Sequence, residues 1–198
     1  MNRFILCTKQ RRFVTFSFVA SIISGFENTL STSSMITSMN SDMSAGLVTN
    51  IIGRDIISSL TSLIVIYGWN NRIDKNPKRS FILGQLTYQM GITIDMMAYL
   101  IPSENLMLVA GIGGTGKSVS WITLGSFNAK IIQEIANDNV GEFYAKLSVI
   151  NTLGQSIGMG LGLLFLKHIY VSSPFVIGFL GILRYISYHM MFKKLFIN

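Results

Sequence analysis

The chain has 198 residues, 49% apolar and only 13% charged, with a mean hydropathy of +0.48. A soluble domain carries about 25% charged residues, so lipid, not water, is the expected main solvent. The net charge of +7 resides in Lys and Arg gathered between apolar segments, which argues against a nucleic-acid partner. Cys7 stands alone and His168 and His189 lie far apart, so neither a disulfide framework nor a metal site is expected.

Residues 1–12 read as a basic N-terminal flank carrying Arg3, Lys9, Arg11 and Arg12, a pattern also open to an organelle-targeting reading. Residues 13–195 read as one domain. The expected fold is all-α, a polytopic transmembrane helical bundle of about six spans. The candidate spans run roughly from Phe13 to Leu30, Leu47 to Trp69, Phe81 to Ile101, Leu106 to Phe127, Leu147 to Leu166 and Tyr170 to Tyr188. The first is the weakest, because Glu27 and Asn28 interrupt it and the polar "STSSMITSMNSDMS" follows; it reads as an amphipathic or partly inserted helix.

Cytoplasmic loops are enriched in Lys and Arg. Here the N-terminal flank, the second loop (Arg72, Lys75, Lys78, Arg79), the fourth (Lys130, Lys146) and the C-terminus (Lys193, Lys194) carry them. The first and third loops have none, and Lys167 in the fifth is the exception. This alternation places both chain ends on one positively charged side, cytoplasmic or its organellar equivalent. Beyond the similar size of the spans, no repeat is evident.

Ionisable groups at membrane depth are costly and tend to face a bundle interior or a water-filled cavity. Four stand out as a candidate polar or solute site: Arg54 and Asp55 in the second span, Asp95 in the third and Lys117 in the fourth. Arg54 and Asp55 are neighbours in sequence and point about 100° apart on a helix, so each needs a partner from another span. Asp95 is expected to pair with Lys117 or Arg54. The competing reading is a structural polar network that binds no solute. In the fifth span, Gly154, Gly158 and Gly162 recur at four-residue spacing, which puts them on one face and suits close helix packing.

Gly111 to Ser118 read "GIGGTGKS", which fits the phosphate-loop pattern G-x-x-x-x-G-K-[ST]. A working nucleotide site also needs a downstream strand that ends in a metal-binding Asp. After Lys117 the acids are Glu134, Asp138 and Glu142, and none follows a strand-like run.

An ordered series of motifs runs along the chain: "GRD" at Gly53–Asp55, "NRIDKNPKR" at Asn71–Arg79, "DMMAYLIP" at Asp95–Pro102 and "GTGKSVSWITLGSFNAKI" at Gly114–Ile131. "NVGEFYAK" at Asn139–Lys146 and "NTLGQSIGMGLGLL" at Asn151–Leu164 follow. From about Phe16 to Leu195 this order resembles the root UVB-sensitive family of eukaryotic membrane proteins. The resemblance implies a polytopic helical membrane protein, linked in plants to seedling development, auxin transport and homeostasis of pyridoxal-type vitamins. It brings no catalytic residues. The chain departs from the family pattern at Ile56 (a glycine there), at Gln85 and Gln89 (acids there) and at Asn128 (an Arg nearby), while Asp95 replaces a Glu and keeps the carboxylate.

The expectation is thus an integral protein of an intracellular organelle membrane that binds or transports a small polar or anionic solute. No catalytic residue, cofactor or enzymatic activity is expected. The expected partners are the lipid bilayer and either helices of other membrane proteins or a second copy of the chain. One alternative is a structural or assembly subunit, whose glycine face docks a partner helix. A third reading is a nucleotide-binding protein acting through residues 111–118.

Overall fold

Two of the chain's three prolines stand at the first position of a helix, where the missing N–H costs nothing. The computed structural model describes residues 8–39, 45–75, 77–101, 105–136, 139–166 and 174–192. They form α1 (Thr8–Met39), α2 (Ala45–Lys75), α3 (Pro77–Met96), a 3-10 turn (Ala98–Leu100), α4 (Leu106–Ala136), α5 (Val140–Phe165) and α6 (Pro174–Phe192). Among the described residues there is no strand.

The bundle has two groups of three helices. In one, α4 lies between α2 and α3; in the other, α1 lies between α5 and α6, and α1 also packs on α3 to join the groups. An apolar cluster that includes Phe13, Phe81, Phe127, Ile132 and Phe143 fills one end. Leu30, Tyr88, Ile92 and Met96 fill the middle, and Met35, Ala98, Leu106 and Ala110 form a third cluster.

The first segment departs from the sequence expectation. It is continuous and longer: α1 runs for 32 residues, begins inside the basic flank and continues through "STSSMITSM". That polar stretch remains helical because its hydroxyls find partners within the bundle. Ser31 donates to Asp95, Ser34 donates to the Met96 carbonyl, and Thr37 bonds back to the Ser33 carbonyl. Leu30 and Met35 bury the same stretch on its apolar side.

The nucleotide reading fails at this level. "GIGGTGKS" lies wholly inside α4, a continuous helix, so its N–H groups are committed along the helix axis and cannot converge on a phosphate. Its glycines serve packing. A Cβ at Gly111 would meet the Ile57 side chain, and one at Gly116 would lie 2.7 Å from the Thr87 carbonyl oxygen.

Large apolar side chains face outward on several helices, among them Ile56, Leu60 and Ile64 on α2, Leu153, Ile157 and Leu164 on α5, and Phe175, Phe179 and Ile186 on α6. Among the described residues, two helices are long and apolar enough to cross a membrane, Gln10–Thr37 within α1 and Val140–Phe165. Only 22% of the α5 stretch is buried, unlike the core helix of a soluble protein.

Gly154, Gly158 and Gly162 are buried, and the helix against them is the chain's own α1. A Cβ at Gly154 would meet Ser21 and Phe18, one at Gly158 the Ile22 carbonyl, and one at Gly162 the Thr29 side chain. This face is therefore closed within the molecule, which corrects the expectation of a docked partner helix. Gly158→Leu is expected to cost about 3 kcal/mol, the upper end for overpacking. Gly160→Leu, where added atoms meet open space, is expected to change stability by no more than about 0.5 kcal/mol. Thermal unfolding of the detergent-solubilised variants checks both.

Candidate functional site

Ser17, Ser21 and Ser24 follow i, i+4, i+7 spacing, which lines one face of α1 with hydroxyls. Opposite them stand Ser120, Trp121 and Asn128 from α4 and Ser148, Asn151, Thr152 and Gln155 from α5. The space between is a cavity of about 280 Å³, bordered also by Tyr88 of α3 and by Arg184 and Tyr188 of α6. That volume lies near the lower end for ligand pockets, the size of a small molecule.

Part of the lining is tied internally. Ser17 donates to the Asn151 side-chain oxygen at 2.8 Å, and the Ser24 and Tyr88 hydroxyls share a hydrogen bond of 2.9 Å. Ser120 is fully buried, and its hydroxyl has no hydrogen-bond partner among the described residues. Arg184 is 3% exposed; it donates from Nη1 to Glu27 Oε2 at 3.1 Å, and its guanidinium lies 3.5 Å from the centroid of the Tyr88 ring. The ring face adds a cation–π attraction to the ion pair. Arg184 Nε and Glu27 Oε1 have no hydrogen-bond partner among the described residues. Both donors, the Ser120 hydroxyl and Arg184 Nε, lie within the cavity wall and not on its accessible surface, beside amides and hydroxyls that can turn either way.

A second buried pair joins α3 to α4. Lys117 donates to Asp95 Oδ2, which also accepts from Ser31 of α1 at 3.0 Å. Asp95 is fully buried, and a Cβ at Gly113 would overlap its Oδ1. Glycine at 113 and at 91, whose added Cβ would lie 2.6 Å from the Gly113 carbonyl oxygen, lets the two helices approach closely enough for the pair to form.

Of the four charged residues expected to form one site, the structure thus joins Asp95 and Lys117. Asp55 does not belong to that pair; it is exposed on α2 beside Ile52 and Ile56. Arg54 falls within α2, but its side chain lies outside the described residues. The charged residue at the cavity itself is Arg184, with Glu27 behind it, and sequence reasoning missed their relation. An arginine inside the apolar run "GILRYIS" was the available signal. Asn128, one of the departures from the family pattern, also lines the cavity, and Gln85, another, is buried.

Removing one member of a buried ion pair leaves an uncompensated charge, at a cost of about 3–5 kcal/mol. Arginine keeps its proton in proteins, whereas a lone carboxyl can take one up and become neutral. Glu27→Gln is therefore expected to lower the unfolding temperature more than Arg184→Gln, and the double variant Glu27→Gln/Arg184→Met to recover much of the loss. Thermal scans of the three variants in detergent read this order directly.

The family model described as "Vitamin B6 photo-protection and homoeostasis domain" matches residues 8–195. The chain is 26% identical over 138 residues to protein root UVB sensitive 3 of Arabidopsis thaliana, a match that covers 69% of this chain and 31% of the relative. The matched stretch thus spans about a third of that relative's length. No solved structure matches. With its order of motifs and nearly its whole length matched, the chain belongs to the root UVB-sensitive family.

Proposed function

We propose that this chain is a membrane-embedded bundle that binds a small polar solute in the serine-lined cavity and passes it across the bilayer. The observation that carries the reading is the inside-out distribution of polarity. The cavity is lined by hydroxyls, amides and the buried Arg184, while Leu, Ile and Phe side chains face outward on α2, α5 and α6. Soluble monomers rarely expose such large contiguous apolar surface. Polar groups at membrane depth are retained where they face a cavity or one another.

In this reading all six helices cross the bilayer. The shorter ones, α3 with 20 residues and α6 with 19, still reach about 30 Å at 1.5 Å per residue, the thickness of the hydrocarbon core. The cavity wall supplies hydrogen bonds that hold and orient a solute, and the reading includes no covalent chemistry. An acceptor group on the solute takes the Ser120 hydroxyl and Arg184 Nε–H once the wall side chains around them turn aside. Lys117 and Asp95 neutralise each other deeper in the bundle.

The family's description in terms of vitamin B6 homoeostasis makes a B6 vitamer the first probe, since it is a small polar ring carrying hydroxyl groups. Binding of pyridoxine and of pyridoxal 5′-phosphate is measured on the purified protein in lipid nanodiscs, which separates a neutral from an anionic solute. Saturable binding of one of them is expected. Ser120→Ala is expected to weaken it by about 1 kcal/mol, or about fivefold in Kd. The same substitution should leave thermal stability unchanged, because the hydroxyl has no partner to lose. Absence of saturable binding, or equal affinity in the variant, would refute the assignment of the cavity.

A further inference from the structure

The helix lengths repeat. α1, α2 and α3 have 32, 31 and 20 residues, and α4, α5 and α6 have 31, 26 and 19. The packing repeats as well: α1 lies against α5 and α6, as α4 lies against α2 and α3. Exchanging the two triplets maps one arrangement onto the other.

Residue by residue the correspondence holds. On α4, Gly111 faces Ile57 of α2; in the counterpart pair Gly158 of α5 faces Ile22 of α1, so small and large residues have changed sides. Ser118 bonds Ser58 across α4 and α2, and Thr29 donates to the Met159 carbonyl across α1 and α5. The sequence carries the same register: "GFENTLS" at 25–31 beside "GTGKSVS" at 114–120, and "NIIGRDI" at 50–56 beside "NTLGQSI" at 151–157. "FILGQL" at 81–86 and "FVIGFL" at 175–180 complete the set. An ion pair also joins the two triplets at each matching pair of helices, Glu27–Arg184 between α1 and α6 and Lys117–Asp95 between α4 and α3.

Triplets with an odd number of spans enter a membrane in opposite orientations, so this duplication is inverted, a plan found in secondary transporters with the solute site at the repeat interface. The two ends of the α1–α4 interface are not in the same state. At one end Ser17 and Ser21 of α1 and Leu124 of α4 border the open cavity. At the other, their counterparts in the register, Leu106 and Ala110 of α4 and Met35 of α1, are packed shut with Ala98. The cavity lies toward the ends of α4 and α5 that carry Lys130 and Lys146, beneath the cluster of Phe13, Phe127 and Phe143; the packed Met35 cluster lies toward the other end.

We infer that α1–α3 and α4–α6 are an inverted repeat and that the Met35, Ala98, Leu106, Ala110 cluster is a second gate of the same solute path. It opens when the serine-lined cavity closes. The inference rests on the proposed six-span reading for its orientation and on the transport reading for its solute. An alternative state of this kind is populated at roughly 0.1–10%.

The test uses thiol labelling in oriented proteoliposomes, with Cys7→Ser as background. Ser148→Cys is expected to react with a membrane-impermeant thiol reagent from the basic side. Ala110→Cys, 2% exposed as alanine, is expected to react from the opposite side, about 10- to 1,000-fold more slowly. Gly125→Trp, at a cavity-lining position where added atoms meet open space, props the cavity open and is expected to slow labelling of Ala110→Cys further, leaving Ser148→Cys reactive. An inert Ala110→Cys, labelling of both from one side, or an inert Ser148→Cys overturns the proposal. Pyridoxine binding on the same variants separates the two readings. Binding without a labelled second gate defeats this inference alone, and two-sided labelling without binding defeats the solute assignment alone.

Discussion

A guanidinium that keeps its proton, held almost wholly out of solvent at the junction of three helices, dictates the centre of this molecule. Arg184 needs a carboxylate and finds it in Glu27; it needs its flat face covered and finds the Tyr88 ring. Those contacts fix α6 against α1 and both against α3. Tyr88 in turn shares a hydrogen bond with Ser24 and so orients the hydroxyl face of α1. The cavity is the space that remains once these demands are met, and its polarity follows from the charge at its edge.

Side-chain size does the complementary work. Buried charge tolerates only short gaps, so helices that share an ion pair must approach closely, and here glycine makes the approach possible. Gly91, Gly113 and Gly116 let α3 and α4 bring Asp95 to Lys117, while Gly25, Gly154 and Gly158 seat α1 on α5. The stretch that fits the phosphate-loop pattern is here the small-residue face of a helix.

The helical architecture was legible because apolar stretches of about 20 residues, separated by polar and basic ones, mark off six helices. The pairing of Asp95 with Lys117 was legible too, since two opposite charges at similar depth have few other places to go. The first helix was misjudged because its hydroxyls read as loop residues when their partners, Asp95 and the Met96 carbonyl, lie far away in sequence. Glu27 was taken as an interruption for the same reason: Arg184 follows it by 157 positions. The repeat was hidden because its matching positions conserve complementarity, not identity, with glycine and isoleucine exchanged between Gly111–Ile57 and Gly158–Ile22.

That exchange bears on why the two ends of the bundle differ. A strictly symmetric duplication would pack both ends of the α1–α4 interface alike, and no polar space would form. Here the wall built from Ser17, Ser21 and Ser24 has as its counterpart Leu106, Ala110 and Gly113. The serines border an open cavity, whereas Leu106 and Ala110 are packed against Met35. Hydroxyls facing one another gain little by excluding water, while leucine, alanine and methionine gain by contact. Ser31, the counterpart of Ser120, is satisfied by Asp95, whereas the Ser120 hydroxyl is left unpaired within the cavity wall. Composition alone therefore biases one gate toward opening and the other toward closure, while the shared helix geometry keeps the reverse arrangement within reach.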